Sequence, residues 1–180
     1  MIIPEKAALY IPRFYYPSMP HLNISTVLLY GMRWRKSKRQ KTLNLHKPFF
    51  NLKAFHVTVE KRGTDEACFC EATIKVEVDG EEEHTVGEGT GPVEALDRAL
   101  RKALARFYPT IMSVRLTDFR VRILDPGDAT AAVTRVVIES TDGVKSWGTV
   151  GVSPNIIEAS WQALVDSVEY KLYAEETAKG

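Results

Sequence analysis

The chain has 180 residues, 44% of them hydrophobic and 26% charged, with a formal net charge of +1. That length admits one domain with a sizeable core or two small halves sharing one, and the composition is that of an ordinary globular protein. The near-zero charge excludes a whole-chain bias toward nucleic acid or membrane, although residues 1–50 hold nine Lys or Arg against a single acid, Glu5.

Residues 1–48 read as an irregular, basic N-terminal extension. Pro4, Pro12, Pro17 and Pro20 forbid a continuous helix there. The apolar run Ile24 to Met32 is too short to span a bilayer, and no signal peptide precedes it. Arg33, Arg35, Lys36, Lys38, Arg39 and Lys41 surround Trp34. This is either a nucleic-acid-binding arm or a solvated extension, and one aromatic in one basic run favours the extension.

From Leu52 the pattern becomes regular. Phe55, Val57 and Val59 alternate with polar residues as in a strand. Cys68 and Cys70 are the only cysteines; spaced by two on a strand they share a face, a poor geometry for a disulfide. They read as thiols in a reducing cytoplasm. Ala72, Ile74, Val76 and Val78 form a second strand, Asp79-Gly80 a hairpin turn, and about Glu83 to Gly87 a third strand. After the loop to Pro92, the spacing of Val93, Leu96, Leu100 and Leu104 predicts a helix ending near Tyr108.

The same order then recurs. Phe119, Val121 and Ile123 alternate, Val133 to Ser140 is rich in β-branched residues, Asp142-Gly143 marks a turn, and Trp147 to Val152 is a third strand. A second helix follows, with Ser153 expected as its cap and Pro154 in its first turn. A shift of 64 positions aligns the two halves. Over residues 52–60 and 84–101, ten of 27 pairs are identical, including Thr85-Val86-Gly87 with Thr149-Val150-Gly151. The expected fold is α+β: two pseudo-twofold-related βββα units, about 52–108 and 116–173, in one domain over 49–180 that dimerises.

Chemistry is sparse. His21, His46, His56 and His84 show no metal-ligand spacing, and there is no Walker motif and no nucleophile elbow. No catalytic residue and no metal site is expected. The loop Gly87 to Gly91 ends at a helix N-terminus, which favours an anion such as a carboxylate; a tight structural turn explains the glycines equally well. Asp125 and Asp128 suit a ligand ammonium or an ordinary Pro-Gly turn, and Ala129 and Ala131 leave room for an apolar side chain.

The stretch LTDFRVRILDPGDATAAVTRVVIESTDGVKSWGTVGVSPNIIEASWQALVDSVEYKL closely resembles the C-terminal regulatory domain of the 2-isopropylmalate synthase and citramalate synthase family. AFHVTVEKRG and EATIKVEVDGEEEHTVGEGTGPVEALDRAL resemble the first half of that domain. The segment WGTVGVSPNIIEASWQALVDS is closer to the citramalate branch. The resemblance implies a dimer that binds the end-product amino acid, isoleucine or leucine, between its units at the dimer interface. It carries the effector role onto Gly89, Thr90, Gly91, Val93, Ile123, Asp125, Ala129, Ala131, Pro154 and Ile156. Pro126 stands where some relatives have an aromatic, which alters the pocket wall. The family's condensation of acetyl-CoA with a 2-oxo acid, with its divalent metal, belongs to an upstream TIM barrel of about 200 residues or more. Residues 1–50 are too few for that barrel, so this chain is expected not to be catalytic by itself and either to work in trans on a separate barrel or to be left over from a split gene. The alternatives are a ligand-independent dimerisation module and, using the basic arm, a nucleic-acid-binding protein.

Overall fold

The computed structural model describes residues 48–124 and 132–179. The basic arm, His21, His46, Asp125, Asp128, Ala129 and Ala131 lie outside the described residues. The elements run β1 (Asn51–Glu60), β2 (Phe69–Val78), β3 (Glu81–Gly89), α1 (Pro92–Leu104), a 3-10 turn (Pro109–Ser113), β4 (Arg115–Ile123), β5 (Thr134–Thr141), β6 (Ser146–Ser153) and α2 (Ile156–Lys179). They form two antiparallel three-stranded sheets, β1-β2-β3 and β4-β5-β6, each followed by a helix. The expected α+β fold of two βββα units is therefore the observed one.

The duplication extends to register. Leu52 pairs with Val76 and Leu116 with Ser140, the same pair after the 64-residue shift. A bulge interrupts β1 between Leu52 and Ala54, and another interrupts β4 at the equivalent place, between Leu116 and Asp118. Cys70 pairs with Gly89 and Thr134 with Ser153, again equivalent.

The shared Thr-Val-Gly triplets have a physical reason. The Thr85 hydroxyl donates to the Ala99 carbonyl at 2.8 Å, and the Thr149 hydroxyl to the Ala163 carbonyl at 2.7 Å. Two residues on, a Cβ at Gly87 would lie 2.4 Å from the Ala99 nitrogen, and one at Gly151 only 1.8 Å from the Ala159 oxygen. The helix backbone therefore lies directly on the sheet at these glycines, which explains why alanines recur opposite them. Ala95, Leu96, Ala99 and Leu100 of α1 and Ala159, Ala163, Leu164 and Val168 of α2 are buried there, in one core that also takes Ile74, Val76, Val136 and Ile138. Near the other end of α2, the Trp147 indole N–H donates to Ser167 Oγ at 2.9 Å, and Ser167 donates to Ser140 Oγ at 2.7 Å. These bonds give the buried Trp147 indole and the Ser167 and Ser140 hydroxyls their partners.

Three local expectations are corrected. Helix α1 stops at Leu104 rather than near Tyr108, because the backbone tightens there: Phe107 and Tyr108 both send their N–H to the Leu104 carbonyl. The Tyr108 hydroxyl then donates to the Phe49 carbonyl at 3.0 Å, tying this turn to the start of β1. The second hairpin turns one residue later than expected. Asp79 and Gly80 both have positive φ, a two-residue turn of the I′ kind. In the second unit only Gly143 does, and with Val144 it occupies the two central positions while Asp142 and Lys145 pair outside them. Finally, α2 is capped by Asn155, not Ser153. Asn155 Oδ1 accepts from the Ile157 N–H at 2.8 Å and the Glu158 N–H at 3.3 Å, and Pro154 precedes the helix.

Candidate effector site

The two helix starts occupy equivalent places. Gly91 caps α1 in an extended conformation with no side-chain cap, and Pro92 fills the first turn. The Ala95 N–H reaches the Gly91 carbonyl at 3.1 Å, as the Ala159 N–H reaches that of Asn155 at 2.9 Å. At each start an acid folds back over the entering strand. Glu94 Oε2 accepts from the Thr90 N–H at 2.9 Å and the Thr90 hydroxyl at 2.8 Å. These bonds, the backbone one first, hold the Glu94 carboxyl below the usual range. Glu158 accepts from the Ser153 hydroxyl at 3.4 Å, and Ser153 Oγ in turn accepts from the Asn155 N–H. The two carboxylates thus tie down the residues that enter each helix, while the first N–H groups of α2 are taken by Asn155 Oδ1 and α1 has no side-chain cap.

Antiparallel pairing places the candidate residues at two corners. In the second unit, Ile123 pairs with Thr134 and Thr134 with Ser153, so Ile123 lies on one row with the strand end that leads into Pro154 and Ile156. Ile123 is 61% exposed and Ile156 44%. In the first unit the equivalent row is Val59, Cys70 and Gly89, leading into Thr90, Gly91 and Val93. Among the described residues no hydrogen bond or ion pair joins the two groups. Gly89 also has a packing duty, since a Cβ there would lie 2.8 Å from the Ala95 nitrogen. Gly91 has none, because nothing lies within 4 Å of a Cβ built on it.

The apolar surface around the second corner is larger than the motif residues. Phe119 and Val121 (each 39% exposed), Ile123 and Leu124 follow one another along β4 and its end, and the Leu124 N–H holds the Val133 carbonyl at 2.8 Å. The alternation in the sequence identified this strand, but not that α2 leaves its helix-side face uncovered. Near the first corner, Glu60, Arg62, Glu66, Ala67 and Phe69 line a shallow open dent, where Arg62 is taken up by Glu60 at 2.9 Å. No sequence motif pointed to it.

Nothing at either corner, among the described residues, has the arrangement of a nucleophile and base. Among the described residues no three His, Cys, Asp or Glu side chains gather as metal ligands. Cys70 is buried, and burial pushes its thiol up, with a smaller push from Cys68. No helix of the described residues is long and apolar enough to cross a membrane.

Comparison with known proteins gives consistent matches. Residues 37–172 match the LeuA allosteric (dimerisation) domain. An (R)-citramalate synthase of Geobacter sulfurreducens is 53% identical over 141 residues, 78% of this chain and 27% of the relative. One from Synechocystis is 59% identical over 101 residues, 56% of this chain and 18% of the relative. A 2-isopropylmalate synthase of Aquifex aeolicus is more distant, 37% identical over 105 residues, 58% of this chain and 19% of the relative. The chain spans about a quarter of the length of the first two relatives it matches.

Proposed function

The chain belongs to the LeuA allosteric (dimerisation) domain family, and on that premise we propose that it is the amino-acid-sensing regulatory domain of a citramalate or 2-isopropylmalate synthase. Isoleucine or leucine is the effector, and its binding feeds back on branched-chain amino-acid synthesis in the cytoplasm. The domain acts by self-association and binding; the condensation chemistry, with its divalent metal and acetyl-CoA, belongs to a TIM-barrel catalytic domain with which it works. The greater identity to (R)-citramalate synthases favours isoleucine.

The observation that carries the reading is the apolar β4 end beside a helix start. Ile123 and Ile156 present exposed aliphatic surface at the same corner as the α2 N-terminus. An aliphatic side chain and an anionic head group are accommodated by those two features together. The Gly89-Thr90-Gly91 corner of the first unit supplies a second, equivalent wall in the proposed site. The family resemblance also assigns Asp125, Ala129 and Ala131 to it.

Isothermal titration calorimetry with isoleucine, leucine and valine tests the proposal. Isoleucine is expected to bind with micromolar to low-millimolar affinity and to raise the melting temperature, leucine to bind more weakly, and Ile123→Asp to abolish both effects. No heat and no melting shift with any of the three at 10 mM (a test concentration of roughly a hundred times a 0.1 mM Kd) would leave a ligand-independent dimerisation module as the reading.

A further inference from the structure

The face of each sheet turned away from its helix carries a charge pattern, and the two patterns are opposite. Residues directly across an antiparallel pair share a face. In the first unit this face has three rows: Ala54, Lys75 and His84; then His56, Thr73 and Val86; then Thr58, Glu71 and Glu88. In the second unit the equivalent rows are Asp118, Glu139 and Gly148; then Arg120, Val137 and Val150; then Arg122, Arg135 and Val152. The middle rows mix valines (Val86, Val137, Val150) with His56, Thr73 and Arg120. The outer rows exchange sign: Lys75 and His84 stand where the second unit has Glu139 and Gly148, and Glu71 stands where it has Arg135.

The last row is the informative one. Glu71 lies directly opposite Glu88, and Arg122 directly opposite Arg135. Like charges so placed destabilise an isolated sheet. Elsewhere on these faces charges are neutralised within the chain, Lys75 by Glu82 at 2.6 Å and Arg120 by Asp118 and Glu139. Among the described residues none of the four in the last row has an ion-pair partner, and the buried Nε of Arg135 has no hydrogen-bond partner. Val86 (41%) and Val152 (44%) add exposed apolar surface beside them.

We propose that the first-unit sheet of one copy of this chain packs face to face on the second-unit sheet of another, with Glu71 and Glu88 set against Arg122 and Arg135. Two sheets pack face to face about 10 Å apart with strands within about 30° of alignment. In one orientation corresponding rows meet, so the glutamates meet the arginines and Lys75 meets the Asp118–Glu139 end. Turned end for end, the glutamates meet Asp118 and Glu139 while the arginines meet Lys75. The charges therefore select one register and repel the other. A face set on its own twin with rows aligned repels in the same way; set end for end it brings Lys75 to Glu71 and Glu88, an arrangement of first units alone that Arg122→Glu with Arg135→Glu would leave intact. The proposal rests on the self-association reading above and names the face that carries it.

Sedimentation of the full chain and its variants tests this. Glu71→Arg with Glu88→Arg makes the last row basic on both faces, and Arg122→Glu with Arg135→Glu makes it acidic on both. Each double variant is expected to self-associate roughly tenfold or more weakly than the unaltered chain. Mixed one to one, the two variants are expected to regain association, because every contact between them is complementary. Unaltered melting temperatures identify the variants as folded. Variants that associate as tightly as the unaltered chain, or a mixture that fails to recover, overturn this face while leaving self-association through another surface standing. An unaltered chain that stays monomeric at every concentration overturns the self-association reading itself.

Discussion

Strands β1 and β4 hold the same place in their units, and Phe55 and Phe119 the same place on those strands, but their surroundings differ. Phe55 lies against Trp161 of α2, ring centroids 5.5 Å apart, whereas Phe119 is 39% exposed. The position on α1 equivalent to Trp161 is Asp97. It is buried and paired with Arg101, whose other nitrogen donates to the Val114 carbonyl at 2.6 Å, just before β4. Burial pushes the Asp97 carboxyl up against the opposing pull of Arg101. One seam between the units is thus closed by an aromatic pair, while the corresponding helix position on the other side anchors the chain that enters β4. The duplication preserved the joint of each helix on its own sheet and let the outward positions diverge.

The joint is where the comparison is hardest to break. Gly151→Ala is expected to have the largest effect, because its Cβ would overlap the Ala159 carbonyl at 1.8 Å and backbone, not a flexible side chain, must give way. The cost should exceed about 3 kcal/mol, the upper end of ordinary overpacking. Gly87→Ala, at 2.4 Å from the Ala99 nitrogen, should cost less, and Gly148→Ala, at 3.8 Å from the Ile138 oxygen, nearly nothing. Urea unfolding of the three variants gives the order directly. Equal costs at positions 151 and 148 would show that the joint has more slack than this geometry allows.

The seam comes next. Trp161 is 7% exposed, and Trp161→Ala should cost about 3 kcal/mol in chemical denaturation. Phe119→Ala should cost less, about 1 kcal/mol, as the residue is already 39% exposed. Equal losses would mean that Phe119 is covered in solution, which would erase the asymmetry between the seams.

The hairpins differ in the same way. Val78 is buried at the end of β2, and its equivalent is Asp142. Asp142 is tied to Lys171 at 2.7 Å, and Lys171 to Glu175 at 3.0 Å; Glu175 also accepts from Thr110 at 2.8 Å in the 3-10 turn. The hydrogen bond from Lys171, then backbone N–H groups of the turn, hold the Asp142 carboxyl well below its ordinary range. A carboxyl lowered by folding contributes stability above its unfolded-state value, near pH 4, and loses it as pH falls toward the folded-state value. Lys171→Met should therefore reduce stability at pH 7 by about 1–3 kcal/mol and flatten the loss below pH 4. An unchanged acid limb in thermal melts from pH 2 to 7 would assign that limb to other carboxylates.

How far the sequence was legible depended on whether a feature is local or needs register. Alternation, turn residues and the 64-residue repeat gave the six strands, the two helices and their pairing, because Thr85-Val86-Gly87 and its copy are one physical device repeated. The cap of α2 was misplaced by two residues, because Ser153 and Asn155 are both good caps and only the backbone path decides between them. The α1 terminus was overrun, because the long-range bond from Tyr108 to Phe49 leaves no trace in local periodicity. The opposite charge rows were invisible for the same reason: Glu71 and Glu88, or Arg122 and Arg135, become neighbours only once the strands are paired. Of the candidate site, Gly89, Thr90, Gly91, Val93, Pro154 and Ile156 were placed by pattern at helix starts and Ile123 at a strand end, while Asp125, Ala129 and Ala131 lie outside the described residues.

The smallest expected effect separates two meanings of one residue. Gly91 and Asn155 are equivalent caps, but only Asn155 supplies a side-chain acceptor. Gly91 has φ −143°, an extended conformation open to any residue, and no atom lies within 4 Å of a Cβ built there. Gly91→Asn should therefore add a cap like that of α2 and stabilise the chain by a few tenths of a kcal/mol, roughly the measured gap between Gly and Asn at this position. If Gly91 also faces the effector, the same substitution must weaken isoleucine binding, since the new side chain occupies the open space and takes up helix N–H groups. A gain in stability with a loss of affinity would make glycine at position 91 a functional choice, against the folding preference that Asn155 follows. A gain in stability with affinity unchanged would remove Gly91 from the site and leave the second-unit corner, with Ile123 and Ile156, as the wall that discriminates ligands.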